Sequence, residues 1–508
     1  MSTGKPFDPR LRGHCSYTVP LVRDSWGEVQ IRGEDILTSL ALGLIGLYIL
    51  RLTWQFFKLR RFAGPPWTGL SNVPHSRAML RGDCHRWYAD VNRKYGPIAR
   101  VAPNVLITSS PEVWTHVNNT PGYRRSPWYY NACRIEYRRD NVFSETDNEK
   151  HDRRRKQMAP GYSGRENLDL EASIDECLTQ FMHLIRSKYV SSTDNAPHMD
   201  LATKTQFFTL DVISKVGLGT AFGMLQADHD IDDYLKSSAE GLTIGNTALA
   251  MGFSWLAHSP FIGKFIAPSP KDNSGFGKMM ATCFRYVDQR AANPTDKRSD
   301  MLASFIRHGL SGDELRTEAL EQIIAGSDTT ATAIRATLLH IMTNPRVYAK
   351  LQLEIDDAVR DGRAPAPGDG LISATQAKQL PYLQAVMREG LRVHPPVTNI
   401  FSRDVPAAGD MEIYGDDADA FRPERWFEAD EAKLHVMTAT NELIFGHGKF
   451  QCLGKRVAQV EIGKLVFETF RNFDMAVVDP TRPWRLQNCL GLLHITDMWV
   501  QVSERTIA

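Results

Sequence analysis

FGHGKFQCLG, residues Phe445 to Gly454, places one cysteine in a glycine-rich loop directly before a segment of helical periodicity. The N–H groups and the dipole of a helix N-terminus lower the pKa of a nearby thiol, which predicts a thiolate at Cys452. Gly448 and Gly454 allow a flat group to approach the backbone, and Phe445 supplies an aromatic wall. The loop alone is equally compatible with an ordinary buried cysteine beside a turn.

Length and composition exclude several classes of protein. The chain has 508 residues, of which 42% are hydrophobic, so it can bury a large core. Its formal net charge of +1 gives no general attraction to nucleic acid, which is therefore not an expected partner. The seven cysteines lack CxxC and CxxxC spacing. This argues against a zinc site or a disulfide framework and favours a reducing compartment.

The pattern Phe-x-x-Gly-x-x-x-Cys-x-Gly resembles the haem-binding loop of the cytochrome P450 family. The resemblance implies haem b as the cofactor, with Cys452 as the axial ligand of the iron. It also implies that Phe445, Gly448 and Gly454 lie against the haem. The remaining landmarks of the family are found in the family's order along the chain.

Basic residues that resemble the family's propionate ligands occur at two places. His151 and Arg155 are four residues apart in the cluster HDRRRK and share a helix face, and Arg403 lies in an extended segment. Phe450 departs from the family pattern, because most members carry there a basic residue that pairs with a propionate; whether the neighbouring Lys449 substitutes for it is left open by the sequence. The other cations of the cluster are expected to point outward, to an acidic electron donor or to solvent, and are Arg153, Arg154 and Lys156.

A long helix is predicted from a capping box at Ser311 and Glu314 to the next proline. It contains Ala-Gly-Ser-Asp-Thr-Thr, residues 325–330, which is poor helix-forming sequence and predicts a local distortion facing a cavity. Asp328 and Thr329 supply an acid and a hydroxyl that can relay protons. The motif resembles the oxygen-activation motif of the family. A plain kinked helix is the alternative, but it leaves the acid and the alcohol unexplained.

Glu389 and Arg392 are three residues apart on a predicted helix, and the segment FRPERW supplies Arg425. These three residues resemble the family's structural lock, which supports the cysteine loop. Relatives carry a hairpin, a strand and a short helix before the FRPERW segment. Here the chain continues directly after Asp410, which indicates a loss of roughly 30 residues.

An uncharged apolar run begins at Ile36 and, interrupted only by Arg51, continues to Phe57. Its length of about 22 residues is enough to span a bilayer, although a buried core helix is the alternative. Basic residues follow from Lys58 onward, so the positive-inside rule places the rest of the chain in the cytosol. The predicted segments are a lumenal tail (1–35), a transmembrane anchor (36–57), a basic, proline-rich hinge (58–67) and a haem-thiolate monooxygenase domain (68–508).

The resemblance implies a mainly α fold with small β sheets, of the cytochrome P450 type, behind a single N-terminal transmembrane helix. The implied activity is a monooxygenase that inserts one oxygen atom from dioxygen into a small apolar organic molecule by hydroxylation or epoxidation. The implied electron donor is an NADPH-dependent cytochrome reductase that docks near Lys449, Lys455 and Arg456. The residues of these motifs are most similar to those of fungal family members that modify secondary metabolites. This similarity implies that the protein is located in the endoplasmic reticulum membrane.

Two other functions are compatible with these residues. One is a haem-thiolate isomerase or dehydratase, which needs neither dioxygen nor a reductase. The other is an inactive or haem-deficient protein, because the segment missing after Asp410 includes a sheet strand whose loss exposes an edge. Dependence on NADPH distinguishes the first from a monooxygenase, and haem content tests the second.

Overall fold

A computed structural model describes residues 33–120, 122–192, 195–293, 298–398, 417 and 420–505. Arg403 and the segment after Asp410 lie outside these residues. Within them the chain is mainly helical with three small sheets, as the sequence predicts.

The helices of the N-terminal half are α1 (Gly33–Lys58), α2 (Val73–Arg81), α3 (Cys84–Tyr95), α4 (Pro111–Asn119), α5 (Trp128–Cys133), α6 (Asn148–Tyr162), α7 (Leu170–Lys188), α8 (Leu201–Leu218), α9 (Met224–Ala227), α10 (Tyr234–Ala250), α11 (Ser254–Ala257) and α12 (Gly263–Ile266). Those that follow are α13 (Gly275–Ala291), α14 (Met301–Arg307), α15 (Gly312–Met342), α16 (Pro345–Arg360), α17 (Ala374–Lys378), α18 (Pro381–Val393), α19 (Arg425–Glu428), α20 (Glu431–Glu442) and α21 (Lys455–Asn472).

The strands are β1 (Ile98–Ala102), β2 (Val105–Thr108), β3 (His198–Asp200), β4 (Phe473–Val477), β5 (Arg485–Cys489), β6 (Leu492–Thr496) and β7 (Trp499–Glu504). β1 pairs with β2, and β5 pairs with β6 across a hairpin; β7 lies between β3 and β4. All of these pairs are antiparallel. The sheets are therefore small and lie at the margins of a helical body.

The helix α15 forms the centre of the core, where α8, α18 and α21 pack against it. It is a continuous helix of 31 residues, so the prediction of a local distortion at its Ala-Gly-Ser-Asp-Thr-Thr segment is wrong. Gly326 serves packing instead, because a Cβ there would lie 2.6 Å from the Cγ1 atom of Ile213 on α8. The glycine thus allows two central helices to approach closely.

The start of α15 is as predicted, but the capping box is not. Ser311 occupies the N-cap position, yet its side chain makes no capping hydrogen bond. Glu314 instead forms an ion pair with Arg154 of α6 at 2.7 Å. The acid therefore joins two helices rather than closing the first turn of its own.

The N-terminal helix α1 is exposed along its length. The segment Ile36–Lys58 contains an 18-residue stretch with a mean hydropathy of 1.8, none of which is buried in the protein. This excludes the alternative of a buried core helix and fits a membrane anchor. Its last turn is held to the body by Arg100, which donates to the carbonyl oxygens of Gln55 (2.9 Å) and Phe56 (3.2 Å).

Candidate active site

The cysteine loop is closed by its own backbone. The N–H of Cys452 donates to the carbonyl oxygen of Phe445 at 2.7 Å. Gly446 and Gly448 turn the chain with positive φ angles of 76° and 60°, which residues with a Cβ rarely adopt. Gly454 is the N-cap of α21, so the sulfur lies just before a helix N-terminus, as predicted.

Burial has the larger effect on the thiol. It raises the pKa of Cys452, whereas the N–H groups of Gly454 and Lys455 and the guanidinium of Arg155 act to lower it. The predicted lowered pKa is therefore wrong for the free thiol. Cys452 nevertheless keeps accessible surface, although the surrounding protein is close enough to raise the pKa of its thiol. A bound metal cation would supply the charge that holds a thiolate there.

His151 and Arg155 lie on one face of α6 beside this loop. His151 is buried, its Nδ1 is 2.8 Å from Asp152 Oδ1, and burial lowers its pKa to about 4. Arg155 is half-buried. Burial lowers the pKa of its guanidinium group, and the charge of Cys452 opposes this effect. Across the part of the chain that the structure describes, Arg155 has no hydrogen bond or ion pair with another residue. A half-buried cation beside the cysteine offers a partner to an anionic ligand.

The neighbouring cations do not lie as the sequence suggested. Lys449 approaches Asp152 (3.5 Å). Arg154, expected to point outward, turns inward and donates to the buried Glu318 at 2.5 Å. Arg125 lies with its guanidinium carbon 4.8 Å from the centre of the Phe450 ring, a position that sequence reasoning missed because the two residues are far apart in the chain.

One stripe of α15 faces open space. Glu321, Ala325 and Thr329 follow one another at intervals of four residues and keep accessible surface, while most of the helix around them is buried. The hydroxyl of Thr329 donates to the carbonyl oxygen of Ala325 at 2.8 Å. Burial is the main reason that the pKa of Tyr162 is raised, and the negative charges of Cys452 and Glu321 raise it further. The stripe and the cysteine therefore border a common region.

Asp328 faces away from that stripe, into a second cavity of about 220 Å³. Its Oδ1 accepts from Gln206 Nε2 at 2.7 Å, and its Oδ2 from the hydroxyl of Ser238 at 3.4 Å. The wall of this cavity also contains Thr203, Tyr234, Lys236, Arg335, His494 and Thr496. A cavity of this size has room for roughly seven water molecules.

Arg335 fixes the floor of the second cavity. It is 2% exposed, and it donates from Nε to Ala202 O at 2.9 Å and from Nη2 to Gln206 Oε1 at 2.7 Å. Its Nη1 is buried with no partner in the residues described. Burial lowers the pKa of Arg335 to about 10. This cavity links the acid of the motif to polar groups of α8 and β6.

The predicted lock between α18 and the FRPERW segment is present. Glu389 is fully buried and accepts from Arg392 Nη2 at 2.8 Å, Arg425 Nε at 2.9 Å and Trp426 Nε1 at 3.1 Å. Arg392 Nε (2.9 Å) and the backbone N–H of Arg422 (2.8 Å) also donate to Glu389. The carboxylate therefore joins two segments that precede the cysteine loop.

Two further acids of α15 were not predicted. Glu318 is fully buried between Arg154 and the backbone N–H of Val142 (3.0 Å), and burial raises its pKa to about 7. Burial, with the nearby charge of Glu318, raises the pKa of Glu321 to about 8. The other groups whose charges interact with Glu321 are Arg125, Cys133 and Tyr162.

The raised pKa values of these two acids predict that the stability of the folded protein depends on pH. Because the pKa of Glu321 is raised from 4.5 to about 8, the unfolded chain releases this proton first, and the folded state loses stability as pH rises through that range. We expect the thermal midpoint of Glu321→Gln to fall less than that of the natural chain across this range, in calorimetry. Equal slopes for the two proteins would contradict the raised pKa.

The residues present fit a haem. The chemistry is that of one exposed sulfur before a helix N-terminus, with a half-buried guanidinium beside it. A Cβ on Gly454 would lie 3.8 Å from the sulfur, so Gly454 lies directly beside it. Phe445 packs against the main core beside the loop. This donor set matches a thiolate ligand for iron and a cation for a propionate.

Comparison with known proteins agrees with this geometry. The cytochrome P450 family model matches residues 63–415 and 407–497, two stretches that meet around Asp410. Cytochrome P450 monooxygenase ABA1 of Pyricularia oryzae is 37% identical over 489 residues, covering 89% of this chain and 94% of the relative. Aba1 of Botryotinia fuckeliana is 36% identical over 443 residues (82% and 86%), and abl1 of Leptosphaeria maculans is 30% identical over 473 residues (86% and 82%). Because the family model and these relatives cover most of its length, this chain belongs to the cytochrome P450 family.

Proposed function

We propose that the protein is a haem-thiolate monooxygenase that inserts one oxygen atom from dioxygen into a small apolar molecule. The observation that carries the proposal is the exposed sulfur of Cys452 beside Arg155, bordering the same region as the accessible stripe with Thr329. The relatives are named as monooxygenases and come from fungi. A role in fungal secondary metabolism is part of this proposal.

Bound haem b supplies the activation of dioxygen, with Cys452 as the ligand of its iron. The N–H groups of Gly454 and Lys455 hold negative charge on the sulfur. His151 and Arg155 bind the propionates, a role also proposed for Arg403. Phe445, Gly448 and Gly454 border the ring.

Proton supply is divided between the two sides of α15. Thr329 holds a hydroxyl proton at the accessible stripe, where its Oγ1 is oriented by the carbonyl of Ala325. Asp328 borders the second cavity on the opposite side, held by Gln206 and Ser238. The acid takes protons from water in that cavity and passes them toward Thr329.

The electron donor in this proposal is an NADPH-dependent cytochrome reductase. Basic side chains surround the cysteine loop, and each has a local partner. Lys449 approaches Asp152, Lys455 pairs with Glu442, and Arg456 donates to the carbonyl oxygen of Ser163, so an acidic partner would bind these cations by exchanging with their present contacts. The partners on this surface are acids or carbonyls that a stronger acidic patch can displace.

We place the protein in the endoplasmic reticulum membrane, with the domain of residues 68–508 in the cytosol, the lumenal tail at 1–35 and the hinge at 58–67. Support comes from α1 and from exposed apolar side chains on α11, α12 and their neighbours, which are Phe253, Trp255, Phe261, Phe265 and Ile266. α10, which leads into this group, packs against α2, the first helix after the hinge. Both apolar regions therefore lie toward the same part of the body.

Labelled dioxygen tests this function against the two alternatives. Membranes with this chain and its reductase are supplied with NADPH and a panel of apolar molecules. We expect a product that carries one labelled oxygen atom and forms only with NADPH. A product without label, formed without NADPH, would identify an isomerase or dehydratase. Absence of haem from the expressed protein would identify the haem-deficient alternative.

A further inference from the structure

Glu321 is an acid on the accessible stripe of α15. It lies one helical turn before Ala325, about 6 Å along the helix axis at 1.5 Å per residue. The residues beside it, Leu320 and Gln322, are buried, so its remaining accessible surface points the same way as that of Ala325 and Thr329. Glu321 therefore lies on the face of α15 that borders the region of the cysteine, since its charge and that of Cys452 both act on the pKa of Tyr162.

A rigid loop holds this carboxyl group in place. Asn141 Nδ2 donates to Glu321 Oε2 at 2.9 Å. The amide oxygen of Asn141 accepts from the N–H groups of Phe143 (2.9 Å) and Ser144 (2.7 Å), which fixes the orientation of the side chain. One carboxyl oxygen is thus anchored, and the group is presented to the cavity in a fixed position.

The surrounding charges select the chemistry of a ligand. Arg154 donates to Glu318 at 2.5 Å. The positive charge of Arg125 acts to lower the pKa of Glu321. Two guanidinium groups already accompany the two acids, so a ligand cation would be repelled and would also lose its hydration. Burial raises the pKa of Glu321 to about 8, which leaves a carboxylic acid at neutral pH that both donates and accepts hydrogen bonds.

We propose that Glu321 is a specificity-determining residue, whose carboxyl group, anchored by Asn141, binds a neutral oxygen function of an otherwise apolar substrate. That function is a hydroxyl or carbonyl group remote from the oxidised carbon, because Glu321 precedes Thr329 by eight residues, about 12 Å along the helix axis. The rest of the cavity binds the carbon skeleton. This inference rests on the proposed function, because it requires haem above Cys452.

Iron-ligating azoles test this contact on the haem-loaded protein. The probes are phenylimidazole, its meta- and para-hydroxyphenyl derivatives and its aminomethylphenyl derivative, with affinity measured from the shift of the haem absorption band. In the natural chain we expect one hydroxyl isomer to bind about tenfold more tightly than the parent, the effect of one good hydrogen bond. The amine is expected to gain less than the hydroxyl.

Two variants isolate the residue. Glu321→Leu is expected to lose the gain from the hydroxyl group while still binding the parent azole. In the natural chain the affinity gain from the hydroxyl group is expected to rise between pH 7 and about 9, because an ionised carboxylate at Glu321 accepts a hydrogen bond more strongly than the acid. Glu321→Gln keeps the shape and the hydrogen bond, so the gain persists. Its rise with pH disappears, because the amide does not ionise.

A gain of equal size in the natural chain and Glu321→Leu would overturn the inference, as would a larger gain for the amine or no gain for either hydroxyl isomer. If Glu321→Leu does not fold, a pH-dependent gain in Glu321→Gln would overturn it in the same way. Binding of the parent azole separates these failures from a failure of the proposed function, which would leave no haem band to shift.

Discussion

Glu389→Gln is expected to prevent accumulation of the haem-loaded protein. The change removes the carboxylate that pairs with both Arg392 and Arg425, although Arg425 keeps its ion pair with Asp417 at 2.9 Å. Breaking a buried ion pair costs about 3–5 kcal/mol. That is a large part of the roughly 5–15 kcal/mol that stabilises a typical domain. The measurement is the thermal midpoint of the purified protein, together with its haem content.

Glu428→Gln is the matched control. Glu428 pairs with Arg422, a residue of the same segment, but at the surface, where ion pairs contribute about 0–1 kcal/mol. We expect a midpoint close to that of the natural chain. Equal midpoints for Glu389→Gln and Glu428→Gln would show that the buried cluster does not support the fold.

Asp328→Asn is expected to lower the rate of product formation by a factor of about 10² or more, the usual contribution of a positioned proton donor. Asparagine keeps the volume of the side chain and can still accept from Gln206, but it cannot pass on a proton. The measurement is the turnover of a substrate found by screening, in water and in heavy water. A larger solvent isotope effect is expected in the variant.

Ser238→Ala provides the comparison for this variant. Its hydroxyl makes only the longer of the two hydrogen bonds to Asp328, at 3.4 Å, so a change of less than about tenfold is expected. An Asp328→Asn protein with normal haem content and a rate within twofold of the natural chain would remove Asp328 from the proton path.

Features specified by local spacing were predictable from the sequence. The cysteine loop before α21, the face shared by His151 and Arg155, and the cluster of Glu389 with its arginines all follow from residue type and interval.

Features that depend on tertiary packing were not predictable. The role of Gly326 is set by Ile213, a residue of another helix, and the inward turn of Arg154 is set by Glu318. The direction of Asp328, away from the accessible stripe, depends on Gln206. The pKa of Cys452 is raised because burial outweighs the helix N-terminus, and burial cannot be judged from the loop alone.

The most direct test of the account is the carbon-monoxide difference spectrum of dithionite-reduced membranes that contain this chain, beside Cys452→Ser. The account predicts a Soret band at the position of a thiolate-ligated haem, absent from the serine variant. The same band in both proteins would show that Cys452 is not the ligand. No band in either, with the protein present, would contradict the haem site and leave a haem-deficient member of the family.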